Sequence, residues 1–192
     1  MYIDKLRHSE ITDASFVIAN SFTLNEPLTR YLKLNSNSFQ EWCHKIIDAS
    51  IGDNMCFVAK INDEIVGCII AKSLNNSIIP EFPDAKPIIE FFNGMENYYP
   101  VELKSSKSLH IHLAATKHGH ERKNLCFKLL SCLLRAAKDQ DYEYAIAELT
   151  SSGTQHICLN KLNFQSLYNL DYKTDSRFPN LEGKCVLGLK KL

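Results

Sequence analysis

Residues Ser108–Asp139 read SLHIHLAATKHGHERKNLCFKLLSCLLRAAKD, and a change of period inside this stretch decides the fold. Leu109, Ile111, Leu113 and Ala114-Ala115 form a short apolar run behind the polar segment Lys104–Ser108, the pattern of a buried strand. Strand side chains alternate faces, so His110 and His112 project to the same side, about 7 Å apart along the chain. From Asn124 onward the spacing becomes helical. Leu125, Leu129, Cys132, Leu133 and Ala136 make an apolar stripe, with Lys128, Arg135 and Lys138 off it. Between strand and helix lies the polar loop Lys117–Asn124, KHGHERKN. A strand that feeds a helix through a short loop aims the helix's free N–H groups at whatever occupies that loop, which makes an anion site suited to phosphate. Arg122 and Lys123 add positive charge there.

Downstream of this unit, Tyr142–Leu149 reads as a strand, Thr150–Thr154 as a turn and Gln155–Leu162 as a short helix. Gln165–Tyr172 and Lys184–Leu189 are closing strands. Upstream, Tyr2–Arg7 is a first strand. Thr12 is the expected N-cap of a helix running to about Phe22, and Pro27 separates that helix from the next segment. Ser38 is the expected cap of a second helix with Phe39, Trp42, Cys43, Ile46 and Ile47 on one face. Met55–Ile61 and Ile65–Ser73 read as a hairpin around Asn62-Asp63-Glu64. Residues 74–107 are an irregular insert, punctuated by Pro80, Pro83 and Pro87, with a short helix expected at Ile88–Phe92. A long insert in a compact domain is often a substrate lid. Phe82, Phe91, Phe92, Tyr98 and Tyr99 give residues 77–100 more aromatic surface than a solvent loop needs.

Composition bounds the function classes. The 192 residues are 45% hydrophobic and 10% aromatic, values of a globular chain, and the length fits one domain spanning 1–192. Formal net charge is zero, so no basic field draws the chain to nucleic acid or to anionic lipid. Seven cysteines without paired spacing read as buried thiols in a reducing, cytoplasmic compartment. No apolar run is long enough to cross a bilayer, and no signal peptide is visible at Met1–Arg7. The pairs His110-x-His112 and His118-x-His120 have a spacing that zinc can use, but strand and loop hold them apart, so no metal site is expected.

The element order β-α-α-β-β-(insert)-β-α-β-α-β-β resembles that of the GNAT N-acetyltransferase superfamily. There the loop after the central strand carries Arg/Gln-x-x-Gly-x-Gly/Ala and holds the pyrophosphate of acetyl-CoA. With register set by Lys128-Leu129-Leu130, this chain has Glu121 at the Arg/Gln position, Asn124 at the first glycine and Cys126 at the last small residue. All three depart from the pattern. Asn124 tolerates a left-handed backbone, whereas the Glu121 carboxylate repels phosphate unless it points away. The His110-x-His112 pair is similar to the His-x-His of arylalkylamine N-acetyltransferases, which serves those enzymes as a water-linked base. Phe22…Glu26-Pro27-Leu28 resembles the Asp-Glu-Pro-Leu segment of insect-type members, in which the glutamate is the base. Lys161-Leu162-Asn163-Phe164 resembles the Lys-Leu-Gly-Phe that ends the superfamily's last helix.

The resemblance implies an α/β GNAT fold, with a mixed central sheet of about six to seven strands flanked by helices. It implies a monomer or homodimer that transfers acetyl from acetyl-CoA to a primary amine, a small arylalkylamine being the favoured acceptor. The cosubstrate site would comprise Leu113, Ala114 and Ala115 on the strand, and His120, Arg122, Lys123, Asn124, Leu125 and Cys126 in the loop and first helical turn. An amine attacks a thioester only as the free base, yet its pKa near ~10 keeps it charged at neutral pH. A proton acceptor is therefore needed. His112 is the expected base because an unperturbed imidazole titrates near ~6.5, with His110 relaying the proton. Glu26 competes for the role or anchors the ammonium. The tyrosine that acts as general acid in the superfamily falls at Leu159, leaving Thr154 or Tyr168. Two other readings stay open: an eroded GNAT-fold binding protein, and an acetyltransferase of protein amines.

Overall fold

The computed structural model describes residues 1–76 and 80–192; the part of the insert at 77–79 lies outside the described residues. Among them, seven strands form one sheet in the order β1-β2-β3-β4-β5-β7-β6. These are β1 (Tyr2–Lys5), β2 (Phe57–Ile61), β3 (Glu64–Ser73), β4 (Ser108–Thr116), β5 (Tyr144–Leu149), β6 (Gln165–Asp171) and β7 (Lys184–Lys191). Every neighbouring pair is antiparallel except β4–β5. That single parallel step needs a crossover, and the helix Leu125–Asp139 supplies it.

One face of the sheet carries α1 (Ile11–Asn25), α2 (Pro27–Tyr31), α3 (Ser36–Ser50) and α4 (Lys86–Met95). The other carries the crossover helix α6 (Leu125–Asp139) and the short α7 (Ser152–Gln155), which continues as a π-helical turn through His156–Lys161. A four-residue α5 (Glu102–Ser105) leads into β4. The α6 stripe is wider than the spacing predicts. Leu130, Leu134 and Ala137 are buried beside Leu125, Leu129 and Leu133, while Cys132 and Ala136 sit half-buried at its edge. α6 comes close enough to β3 that a Cβ on Gly67 would lie 3.2 Å from both Leu129 Cδ1 and the Ala115 carbonyl.

Local chemistry sets several boundaries differently from expectation. α1 starts at Ile11, not after a Thr12 cap. Arg7 and Glu10 bracket the preceding turn, with the Arg7 N–H donating to Glu10 Oε2 at 3.0 Å. α3 is capped by Asn35, not Ser38: the Asn35 side chain accepts from the N–H groups of Asn37 and Ser38. The β2–β3 hairpin turns on Asn62 and Asp63, both left-handed at φ 50° and 63°, the backbone of a type I′ turn. The expected helix at Ile88–Phe92 extends to Lys86–Met95, with Pro87 in its first turn.

Two features of β4 position the site. Its pairing with β5 stops at His110↔Ile146, although β4 runs to Thr116 and β5 to Leu149. The two strands diverge and open a slot in the middle of the sheet. On the other side, Ile70 pairs with Leu113 and Ala71 with Ile111, so His112 is the extra residue of a β-bulge. The bulge reverses the phase of the strand. Leu109 and Ile111 pack on the α6 side, whereas Leu113 and Ala115 pack on the α1/α3 side. Simple alternation along β4 does not predict this switch.

Candidate active site

At the divergence of β4 and β5 lies a cavity of about 130 Å³. Elements from both halves of the chain contribute to it: Phe22 and Glu26 from α1 and the turn after it, Thr29 from α2, Phe39 and Trp42 from α3. β4 gives Ile111–Ala114, β5 gives Ala147–Leu149, and the last helix gives Thr154 and Cys158. The insert closes one side with Ala85, Ile88, Ile89 and Phe92. Its path is fixed by the Trp42 indole, whose N–H donates to the Pro80 carbonyl at 2.8 Å, and by Phe82 stacked on Trp42 with ring centroids 5.7 Å apart. Phe91, one residue away from Phe92, points instead into the core against Tyr172 and Phe178. Tyr98 is outside as well, stacked face to face on Tyr168 at 3.6 Å.

Glu26 is 9% exposed. Glu26 is the N-cap of α2, with Pro27 at the first helical position, and its carboxylate accepts the Thr29 N–H, three residues on, at 2.7 Å through Oε2. Oε1 is shut off from solvent with no hydrogen-bond partner among the described residues. A buried carboxylate oxygen left open at the wall of a cavity is costly unless a donor meets it there.

On the β5 side, Glu148 joins a buried network. Tyr99 Oη donates to its Oε1 at 2.7 Å, and His110 Nε2 lies 2.7 Å from its Oε2. Burial opposes charge on Glu148, but the His110 charge and the two hydrogen bonds outweigh it and hold the carboxyl down to about 2. Burial likewise disfavours the His110 imidazolium, and the Glu148 carboxylate outweighs that and raises its pKa. His112 sits 4.3 Å from His110, ring centre to ring centre. Burial, then the charge on His110, push the His112 imidazole down to about 3. Burial in the bulge and the neighbouring His110 charge thus disfavour the His112 imidazolium and shift the ring below the unperturbed value near ~6.5.

The sequence-derived residues fall into two groups. His112, Glu26, Leu113 and Ala114 line the cavity with Thr154, while His110 lies directly behind His112 and Ala115 packs into the α1/α3-side core. His120, Arg122, Lys123 and Asn124 form the loop before α6. Arg122, Lys123 and Asn124 are exposed, Arg122 and Asn124 are left-handed at φ 60° and 58°, and the His120 Nδ1 is buried without a partner among the described residues. Leu125 is buried in the first turn of α6 and Cys126 half-buried beside it. Tyr168, held by Tyr98, is not in the cavity wall. Glu148 escapes a reading by motif, although YAIAEL shows the signal: one carboxylate in an otherwise apolar strand must have partners. Tyr99 and the cavity-facing role of Trp42 and Phe39 carry no such mark.

The diverging strands have facing edges that are not paired with each other beyond His110 and Ile146, which leaves backbone groups for an extended, amide-bearing ligand. Among the described residues, the lining carries two carboxylates, a neutral imidazole and aromatic walls, and no lysine or arginine. Such a cavity suits a cationic group on an apolar body.

A model of the Acetyltransferase (GNAT) family matches residues 18–159. Among solved structures, the C-terminal condensation domain of Ebony, in complex with beta-alanyl-dopamine, superposes with TM-score 0.83 at 19% identity, covering 100% of this chain and 98% of that one. Arylalkylamine N-acetyltransferase 2 from Aedes aegypti gives 0.81 at 16% identity, with 99% and 98% covered. A Drosophila melanogaster polyamine N-acetyltransferase that catalyses formation of N-acetylagmatine gives 0.79 at 15%, with 100% and 99% covered. At these identities the likeness is one of fold. No curated protein matches the chain by sequence. The diverging β4–β5 pair, the seven-stranded mixed sheet and the family match over residues 18–159 agree: this chain belongs to the Acetyltransferase (GNAT) family.

Proposed function

We propose that the chain is an acetyl-CoA-dependent N-acetyltransferase whose acceptor is a small primary amine with an apolar, aromatic-compatible body. The observation that carries this reading is the open Glu26 Oε1, buried in the wall of an aromatic-lined cavity that meets the β4–β5 slot. Closure by Ala85, Ile88, Ile89 and Phe92 favours a small acceptor over a protein chain.

Acetyl-CoA would supply the activated acetyl thioester. Leu113 and Ala114, past the bulge, would present backbone groups to the acyl end of its arm. Glu26 anchors the ammonium and accepts its proton. The freed amine attacks the thioester carbonyl, the C–N bond forms as the C–S bond breaks with its electron pair leaving on sulfur, and the thiolate takes up the second proton that the new amide nitrogen loses. His112 is held neutral, so it orients the acceptor by hydrogen bonding and does not set the pH profile. Cys158 faces the same cavity, but burial pushes its thiol up to about 12, so direct transfer is favoured over an acyl-cysteine.

Thiol release from acetyl-CoA with 2-phenylethylamine as acceptor tests the assignment. Glu26→Gln should lower kcat/KM by roughly 10²–10⁴-fold, and His112→Gln should keep the wild-type pH profile. Loss of that profile in His112→Gln with an unimpaired Glu26→Gln would return the base to His112.

A further inference from the structure

The loop before α6 is partly filled by its own chain. Glu121 Oε2 accepts the Gly119 N–H at 2.8 Å, and its Oε1 lies 3.2 Å from His118 Nδ1. Its own backbone N–H and that of Gly119 hold the carboxyl below its usual range, with His118 adding to this. Two amides of the loop thus already face a carboxylate. Lys117, at the loop's start, is paired with Glu64 from β3. That leaves the exposed Arg122 and Lys123 as the cations of this loop available to a phosphate, against a fixed negative charge one residue away. An incoming diphosphate would have to displace Glu121 or bind beside it, and both cost affinity. Among the described residues, the cavity at the slot between β4 and β5 is lined by no lysine or arginine, and Glu148 there has both oxygens hydrogen-bonded.

We propose that Glu121 occupies part of the anion-binding loop, so that this chain recognises its acyl donor mainly through the pantetheine-type thioester arm and only weakly through the pyrophosphate. Glu121 is then a specificity residue for the donor and takes no part in the chemistry. The proposal rests on the acyl-donor reading above, and the two fail differently.

Calorimetric titration with acetyl-CoA and with S-acetylpantetheine, which has the same thioester arm and no phosphate, separates them. In the wild-type protein the two affinities should lie within about tenfold of each other. Glu121→Gln keeps a hydrogen-bond acceptor for Gly119 and removes the charge. It should tighten acetyl-CoA by roughly five- to tenfold, an effect that fades with added salt, and leave S-acetylpantetheine unchanged. Equal acetyl-CoA affinity in both proteins, or equal tightening of both donors, overturns the role of Glu121 alone. No binding of either donor to either protein overturns the donor reading and this proposal with it.

Discussion

The two groups that compete for the proton owe their character to local surroundings, a helix cap for Glu26 and burial for His112. Glu26 is held as the N-cap of α2: its carboxylate accepts the Thr29 N–H with one oxygen and leaves the other at the cavity wall. Burial disfavours the charged form of His112 most, and the charge on His110, itself paired with Glu148, adds to it. The His110–Glu148 pair also has a stability signature. The depressed Glu148 contributes stability above its unfolded value of about 4.3, and loses it as pH falls through about 2. The raised His110 contributes fully below its unfolded value of about 6.5, and loses it as pH rises through the raised value. Both contributions are complete between roughly pH 4.3 and 6.5. Glu148→Gln should therefore cost on the order of 3–5 kcal/mol in that window, as breaking a buried pair does. The deficit should shrink toward pH 2 and again at alkaline pH. Denaturant unfolding at a series of pH values reads it directly, and a pH-independent deficit would contradict the ion-pair assignment.

At the scale of elements, the β4 bulge and the insert do what regular structure could not. The bulge swings one strand from the α6 side of the core to the α1/α3 side at the residue where the sheet opens. The insert divides its adjacent phenylalanines between two jobs, Phe91 in the core and Phe92 at the cavity. Phe91→Ala should lower stability by about 3–5 kcal/mol, whereas Phe92→Ala should raise the amine KM several-fold with a much smaller change in melting temperature. Paired thermal melts and amine titrations check this, and a KM effect confined to Phe91→Ala would place the insert differently. The helices and strands are legible in the sequence because their apolar periods are strong, and the Asn62-Asp63 turn because only left-handed residues close such a hairpin. The caps at Glu10 and Asn35 are not, since Thr12 and Ser38 are equally good cap residues and geometry chooses between them. The bulge is invisible for a similar reason: Ser108–Leu113, SLHIHL, alternates without a break through His112, and the extra residue shows only in the pairing with Ile70 and Ala71.

For the molecule as a whole, the sheet is the instrument. One parallel pair among antiparallel neighbours diverges, two helical layers cover its faces, and the gap between the strands joins a cavity walled by elements from both halves of the chain. The fold can be read from the order of elements. The site is half legible: Glu26, His110 and His112 stand out by residue type, but Glu148 and Tyr99 join them only through tertiary contacts spanning 38 and 49 residues. The loop before α6 keeps its expected place while its chemistry changes, because Glu121 turns back onto Gly119. The central claim is that acyl donor and amine meet between β4, β5 and Glu26. A crystal structure with a bisubstrate analogue, 2-phenylethylamine joined through an acetyl bridge to the sulfur of CoA, tests it most directly. The account predicts the arm between β4 and β5, the amide nitrogen within hydrogen-bonding distance of Glu26 Oε1, and the ring against Phe22, Trp42 and Phe92. A ring lying outside the cavity, with Glu26 Oε1 still unpartnered, would contradict it.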